Sequence, residues 1–386
     1  MRRWAVNHRK RPPRTRTVPV PRVGVRASLA VALLVALLAW ATTWAVTDDG
    51  GSTSATTGGS QSPPVGGDEP GTSDDGDSAS GSDKGSDDQS DGGSGSAGAG
   101  EGGADDEKLE KSVRRFRAAQ RKLAERVSEQ LARRTAPVEL RVASFNVLGD
   151  SHTGPGGNKP AFYPDASARM NMTIGLLRAN DIDVVGFQEF EASQYGMFTS
   201  RAGEYSLYPG LSLGDKSVRF NIAWRSSAFQ LVEARSLSIP YAGGSRIEMP
   251  VVLLESTTTK RRAWFANFHN PADTPSLGNN ARWRAEAAGI EIAYLTDLHQ
   301  ADGTPVIVTG DFNEREEIFC RFTAAGVFSA AAGGSSGGGC APPSNMQVDW
   351  VFGSTGVAFD DYAATPTGRA SDHNLVHARA TLVAGE

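Results

Sequence analysis

An α/β sandwich, with two β-sheets packed face to face and helices on the outside, is the fold predicted for the C-terminal part of this sequence. Three observations predict it. From Val138 onward, short apolar runs rich in β-branched and aromatic residues alternate with longer stretches of helical periodicity. Some runs follow one another as hairpin-like pairs and others are separated by a helix, which fits mixed sheets in four layers. No repeat of 20–50 residues is visible.

The elements before that fold come first in the chain. The 386 residues would accommodate two domains, yet the composition argues for one domain behind a long leader. Residues 1–26 carry a net charge of +9 and are expected to stay in the cytoplasm. Residues 27–46 are apolar apart from Ser28, Thr42 and Thr43, and twenty helical residues span ~30 Å, the thickness of a bilayer core. Trp40 and Trp44 sit at the far end, where interfacial aromatics belong. The Arg-rich flank before this run predicts a single-pass signal-anchor with the C-terminus outside the cell. A cleaved secretory signal is the rival reading, since Ala39-Trp40-Ala41 fits a small-x-small cleavage pattern. Length favours the anchor, and both readings place the globular part outside.

Residues 47–106 are mostly Gly, Ser, Asp and Thr, with a net charge of −13 and no aromatic. Such a segment buries too little surface to offset chain entropy and is expected to be a disordered linker. Residues 107–134 then read as an amphipathic helix. Leu109, Val113, Phe116, Leu123, Val127 and Leu131 share one stripe with Gln120. Three uses fit this pattern: docking on the domain, a coiled coil that makes a homodimer, or contact of the basic surface with anionic lipid or wall polymer. The sequence does not choose among them.

The globular domain is expected over 138–384. Its strands are read at LRVASFNVL, DVVGFQE, FNIAWR, MPVVLLEST, RAWFANFH, PVIVTGDF and VDWVFG. Helices are read at 165–180, 279–299 and 314–325. Residues 135–386 carry −7, so bulk charge argues against a basic nucleic-acid groove. Metal-site carboxylates would account for part of that deficit, and a bound cation reverses the local field. Cys320 and Cys340 are the only cysteines, and an even count in an exported domain predicts that they pair.

Chemistry concentrates where the apolar runs stop. SFNVLGD, GFQE, FHN, TGDFN, QVDW and SDHN each place Asn, Glu, Asp or His at the end of an expected strand. Oxygen-rich clusters of this kind hold a hard divalent cation and aim it at a phosphate. Taken together and in this order, the motifs resemble those of the endonuclease/exonuclease/phosphatase superfamily, which includes DNase I-like nucleases, abasic-site endonucleases, sphingomyelinases and inositol-polyphosphate phosphatases. The resemblance covers essentially the whole globular part.

The resemblance implies roles for named residues. Glu189 and Asn146 would bind the cation, joined by Asp372. Mg²⁺ or Mn²⁺ is implied, with Ca²⁺ as a further candidate. Asp311 would orient or deprotonate the attacking water, and Asn313 would contact the phosphate or the metal. His269 would donate to a phosphate oxygen or to the leaving group. His373 would stabilise the transition state, its other ring nitrogen held by Asp349, because a carboxylate fixes the tautomer and favours the charged ring. Asn221 would touch the scissile phosphate. His152, six residues after Asn146, is read from its loop position as a substrate contact. The implied activity is metal-dependent hydrolysis of a phosphodiester, with nucleic acid as first substrate. A phospholipid or small-molecule phosphoester is the alternative, and a non-catalytic binding module is the reading from another class.

Overall fold

The computed structural model describes residues 102–159, 161–335 and 339–383. The basic leader, the apolar run 27–46 and the linker up to residue 101 lie outside the described residues. Among the described residues, no helix is long and apolar enough to cross a membrane.

The first element is α1, Gly102–Thr135. It begins a few residues before the periodic stripe does, because the apolar pattern marks only the part of a helix that has something to bury. The domain follows with β1 (Val138–Asn146), a short turn of helix α2 (Asp150–Thr153), α3 (Ala166–Ala179), β2 (Val184–Gln188) and α4 (Ala192–Arg201). Next come β3 (Tyr205–Tyr208), β4 (Asn221–Arg225), β5 (Phe229–Pro240), β6 (Arg246–Ser256) and β7 (Arg262–His269). The chain closes with α5 (Ala281–Asp302), β8 (Val306–Asp311), α6 (Glu316–Thr323), β9 (Phe328–Ala330), β10 (Asp349–Ser354), β11 (Val357–Thr365) and β12 (Leu375–Leu382).

Two six-stranded sheets form, ordered β11-β12-β1-β2-β4-β3 and β5-β6-β7-β8-β10-β9. Both are mixed. Each contains one parallel pair, β1 with β2 and β7 with β8. Three apolar clusters separate four layers. Val142, Val184, Ile222 and Trp224 of the first sheet meet Val252, Phe265, Ile307 and Val351 of the second. Ala143, Phe145, Val185 and Phe187 point the other way, onto Met170, Ile174 and Phe198 of α3 and α4. Met249, Trp264, Val306 and Phe352 pack outward against α5 and α6 through Ala287, Leu295, Phe319 and Phe322. The central strands are therefore buried on both faces, which is why they read as near-continuous apolar runs. Truncating one of the fully buried phenylalanines to alanine costs about 3–5 kcal/mol in such a core.

A polar layer interrupts the contact between the sheets. Gln188 Nε2 donates to Asn267 Oδ1 at 2.7 Å and to Ser144 Oγ at 3.1 Å. Asn267 Nδ2 donates across to Phe187 O at 2.7 Å, and Thr309 Oγ1 donates to Asn267 Oδ1 at 3.1 Å. Gly186 makes this approach feasible, since a Cβ there would stand 2.0 Å from Thr309 Oγ1. Cys320 of α6 and Cys340 are joined by a disulfide.

Strand register decides where the functional residues meet. In the two parallel pairs, Asn146 lies beside Gln188 and His269 beside Asp311, all at C-terminal strand ends. The antiparallel partners start there: Asp349 pairs with Asp311, and Asn221 with Phe187. Since β12 enters with Val376 opposite Ser144, the segment just before it, with His373, reaches the same end.

Candidate active site

Asp311 is the hub. It is buried, and its Oδ2 accepts from Asn146 Nδ2 at 3.0 Å. The same oxygen lies 3.5 Å from His269 Nε2 and 3.9 Å from His373 Nε2. Its Oδ1 accepts from the Asn313 backbone N–H at 3.0 Å. The two sheets thus meet at one carboxylate, with Asn146 from the first and His269 from the second.

His373 is held from behind. Its Nδ1 lies 2.8 Å from Asp349 Oδ2, and its backbone N–H donates to Ser371 Oγ at 3.2 Å. Ser371 Oγ donates in turn to Asn146 O at 2.7 Å, tying the loop before β12 to the end of β1. Burial pushes the Asp349 carboxyl up from its ordinary range. Burial alone would lower the His373 imidazole, but the adjoining Asp349, with Asp311 and Asp372, raises it well above its ordinary value. The pair therefore keeps a proton, and His373 presents a charged Nε2–H toward Asp311.

Glu189 sits apart from that cluster, with its side chain 25% exposed. Its Oε2 accepts from the Gly149 N–H at 3.1 Å and lies 3.2 Å from His152 Nε2. Both contacts fall on one oxygen, which leaves Oε1 for another partner. Burial would raise this carboxyl, yet His152, His269 and the Gly149 N–H outweigh it and hold the pKa below the usual carboxylate range. His152 is raised in return, chiefly by its bond to Glu189. Its Nδ1 meets Asn158 Oδ1 at 2.8 Å.

The backbone carries strain at two of these residues. Glu189 has φ 55° and Asn313 φ 52°, both in the left-handed region that L-residues rarely adopt. Asn313 Nδ2 donates to Asn270 O at 2.8 Å, which fixes its side chain under the turn. Buried Arg284 braces the neighbouring Glu314 at 3.2 Å and Asp273 at 2.8 Å.

Two expected site residues already have partners within the protein. Asn221 is fully buried and donates from Nδ2 to Val218 O at 2.7 Å, while its Oδ1 accepts from the Gly210 N–H at 2.8 Å. In this arrangement it closes the 209–221 turn beneath the site. Asp372 forms an ion pair with Lys159. Lys159 lies in no strand-end motif, and nothing in its sequence neighbourhood singles it out. Tyr241 was missed for the same reason. Its ring packs 6.0 Å from that of His269, and burial, with Glu189 and Asp311 nearby, pushes its hydroxyl up.

Ligand atoms of Asp311, Asp349 and His373 all lie within 4.8 Å of one another, a spacing compatible with one cation only when the His373 ring gives up its proton. Asp349 Oδ1 and His269 Nδ1 are buried without a hydrogen-bond partner among the described residues. Ionised Glu189, whose Oε1 has no hydrogen-bond partner among the described residues, adds a hard oxygen donor of the kind divalent cations prefer. The donor set at this end of the sandwich thus fits a divalent metal.

The profile of the Endonuclease/Exonuclease/phosphatase family matches residues 143–373. The chain belongs to this family. Its members are phosphoesterases that generally depend on a divalent metal, and the chain is a phosphoric ester hydrolase of that group. No curated relative matches the sequence. Among solved structures, a family protein from Bacteroides thetaiotaomicron is 19% identical with a TM-score of 0.52, covering 64% of this chain and 96% of that one. A mannosyl-6-phosphatase from the same species is 18% identical with a TM-score of 0.50, covering 62% and 99%. At these identities the likeness is one of fold.

Proposed function

We propose that this family member is a nuclease that hydrolyses phosphodiester bonds outside the cell, tethered to the membrane by residues 27–46, with Mg²⁺ or Mn²⁺ as its ion. The reading rests above all on the Asp349–His373–Asp311 arrangement, in which a buried carboxylate keeps an imidazolium aimed at a second carboxylate. Asp311 accepts a proton from, or orients, the attacking water. Asn146 and Asn313 hold that carboxylate in place from either side. His373 and His269 donate to the phosphate oxygens as charge develops, in a site where burial strengthens each contact. Glu189, with Asn146 and Asp372, would hold the cation, which supplies neutralisation of the phosphate charge when bound.

Charge favours a second reading. The domain is acidic, and Lys159 rather than a broad basic groove stands at the site. A small or lipid-borne phosphoester fits such a mouth. The test uses the full chain in detergent with plasmid DNA, RNA or bis(p-nitrophenyl) phosphate, and Mg²⁺, Mn²⁺, Ca²⁺ or EDTA. Metal-dependent nicking of DNA that Asp311→Ala abolishes supports the nuclease. Intact nucleic acid alongside cleavage of the small diester moves the assignment to the second reading. Binding without turnover under any metal would overturn both.

A further inference from the structure

We propose that α1 is a parallel, in-register coiled-coil seam through which two copies of this chain pair. The helix runs 34 residues, about 50 Å at ~1.5 Å per residue. Leu109, Val113, Phe116, Leu123, Val127 and Leu131 are each between 39% and 64% exposed. The described hydrogen bonds between the helix and the domain lie at its end, where Arg261 Nη1 donates to Thr135 O at 2.8 Å and to Ala136 O at 3.2 Å. The domain therefore leaves the stripe uncovered, and an isolated amphipathic helix draws most of its stability from whatever covers its apolar face.

With docking on the domain set aside by this exposure, the spacing points to a second copy as the occupant. Leu109, Val113, Phe116, Gln120, Leu123 and Val127 follow one another at intervals of four, three, four, three and four residues. This is the alternation of a heptad seam, with Val113, Gln120 and Val127 at a and Leu109, Phe116 and Leu123 at d. A lipid-bound helix needs a broader apolar face. Here the ion pairs Glu107–Lys111, Glu110–Arg114 and Glu129–Arg133 lie off the seam, on the flanks and outer face.

Orientation follows from the polar residues. In a parallel pair Gln120 faces Gln120 of the second copy, and the two amides bond to each other. Turned antiparallel, with Leu109 opposite Val127, Gln120 would face Phe116 and lose that partner. The flanks agree. A parallel pair sets Arg117 opposite Ser112, Ala119 opposite Ala124, and Arg126 opposite Leu131. The antiparallel pair sets Arg117 against its own copy. Residues 107–134 carry +6 per chain, so the two helices repel at long range and salt strengthens the pairing.

The experiment is cysteine cross-linking of the full chain, in which Cys320 and Cys340 are already bonded and no described cysteine is free. Single variants Q120C and L123C report the seam, while A118C and E125C report the outer face. Mild oxidation is expected to yield disulfide-linked dimers at the seam roughly tenfold more than at the outer face, as knobs-into-holes geometry requires. Added salt should raise the seam yield, and Phe116→Glu in the Q120C background should remove it. Hydrolysis of bis(p-nitrophenyl) phosphate, measured in parallel, checks that each variant is folded. Equal cross-linking on both faces, or none at the seam, overturns the proposal. Seam cysteines that cross-link nowhere but are shielded from a maleimide by anionic vesicles would assign the stripe to lipid and overturn it equally.

Discussion

Two carboxylate–histidine pairs stand at the same end of the sandwich and behave as opposites. Asp349 and His373 are joined at 2.8 Å inside the second sheet's edge of the site, where burial raises the acid and the acid raises the imidazole. Glu189 and His152 are joined at 3.2 Å where the first sheet opens to solvent, and there the carboxyl is held down. The residue types match, but the surroundings differ. In the first, Asp349 with Asp311 and Asp372 outweighs burial and keeps the imidazole protonated. Backbone N–H donation and two imidazoles make the other a fixed anion. The first suits a developing phosphorane, and the second suits a cation.

That contrast is open to attack by mutation. The largest effect is expected from His373→Ala, with kcat falling about 10²–10⁴-fold, the usual contribution of a positioned acid–base group. His152→Ala should cost only a few-fold by the same scale, and equal losses would erase the distinction. Asp349→Asn removes the charge that holds the His373 proton. The alkaline limb of the kcat/KM profile should move to lower pH, and an unmoved limb would show that Asp349 only packs. Glu189→Gln should act on the metal instead, raising the concentration of Mg²⁺ needed for half-maximal rate by about 10–100-fold. A changed pH profile at unchanged metal demand would reverse the assignment of the two pairs.

The smallest effect concerns stability away from both pairs. Glu291 of α5 is fully buried beneath Asn270, and burial raises its carboxyl to about 8. The folded protein keeps a proton there that the unfolded chain releases, so stability should fall as pH rises from 4.5 to about 8 and level off above. Glu291→Gln should flatten that slope, read as melting temperature against pH. A slope unchanged by the substitution would place the titration elsewhere.

Reading the sequence worked where burial is two-sided or where a motif ends a strand. β1, β2, β7, β8 and β10 are covered on both faces and announced themselves as apolar runs. Asn146, Glu189, His269, Asp311, Asp349 and His373 were legible because each terminates or adjoins such a run. The edge strand β5 was not, since its outer residues from Gln230 to Ala234 are exposed and blur the alternation. α4 was hidden because its ten residues bury only Gln194 and Phe198. The polar layer of Gln188, Asn267 and Thr309 also escaped notice. Its members look like isolated polar residues within strands until the second sheet brings their partners. Lys159 and Tyr241 lie on connecting segments, and their neighbourhood with Asp372 and His269 exists only in three dimensions.

The left-handed backbone at Glu189 and Asn313 has a bearing on engineering. Glycine would relax both positions, and such conformations cost on the order of 1–3 kcal/mol in other residues. A library selected for heat resistance alone should therefore enrich glycine at 189 and 313, two places where the proposed chemistry requires a side chain. Any thermostable descendant of this protein obtained without an activity screen would be suspect at these two codons first.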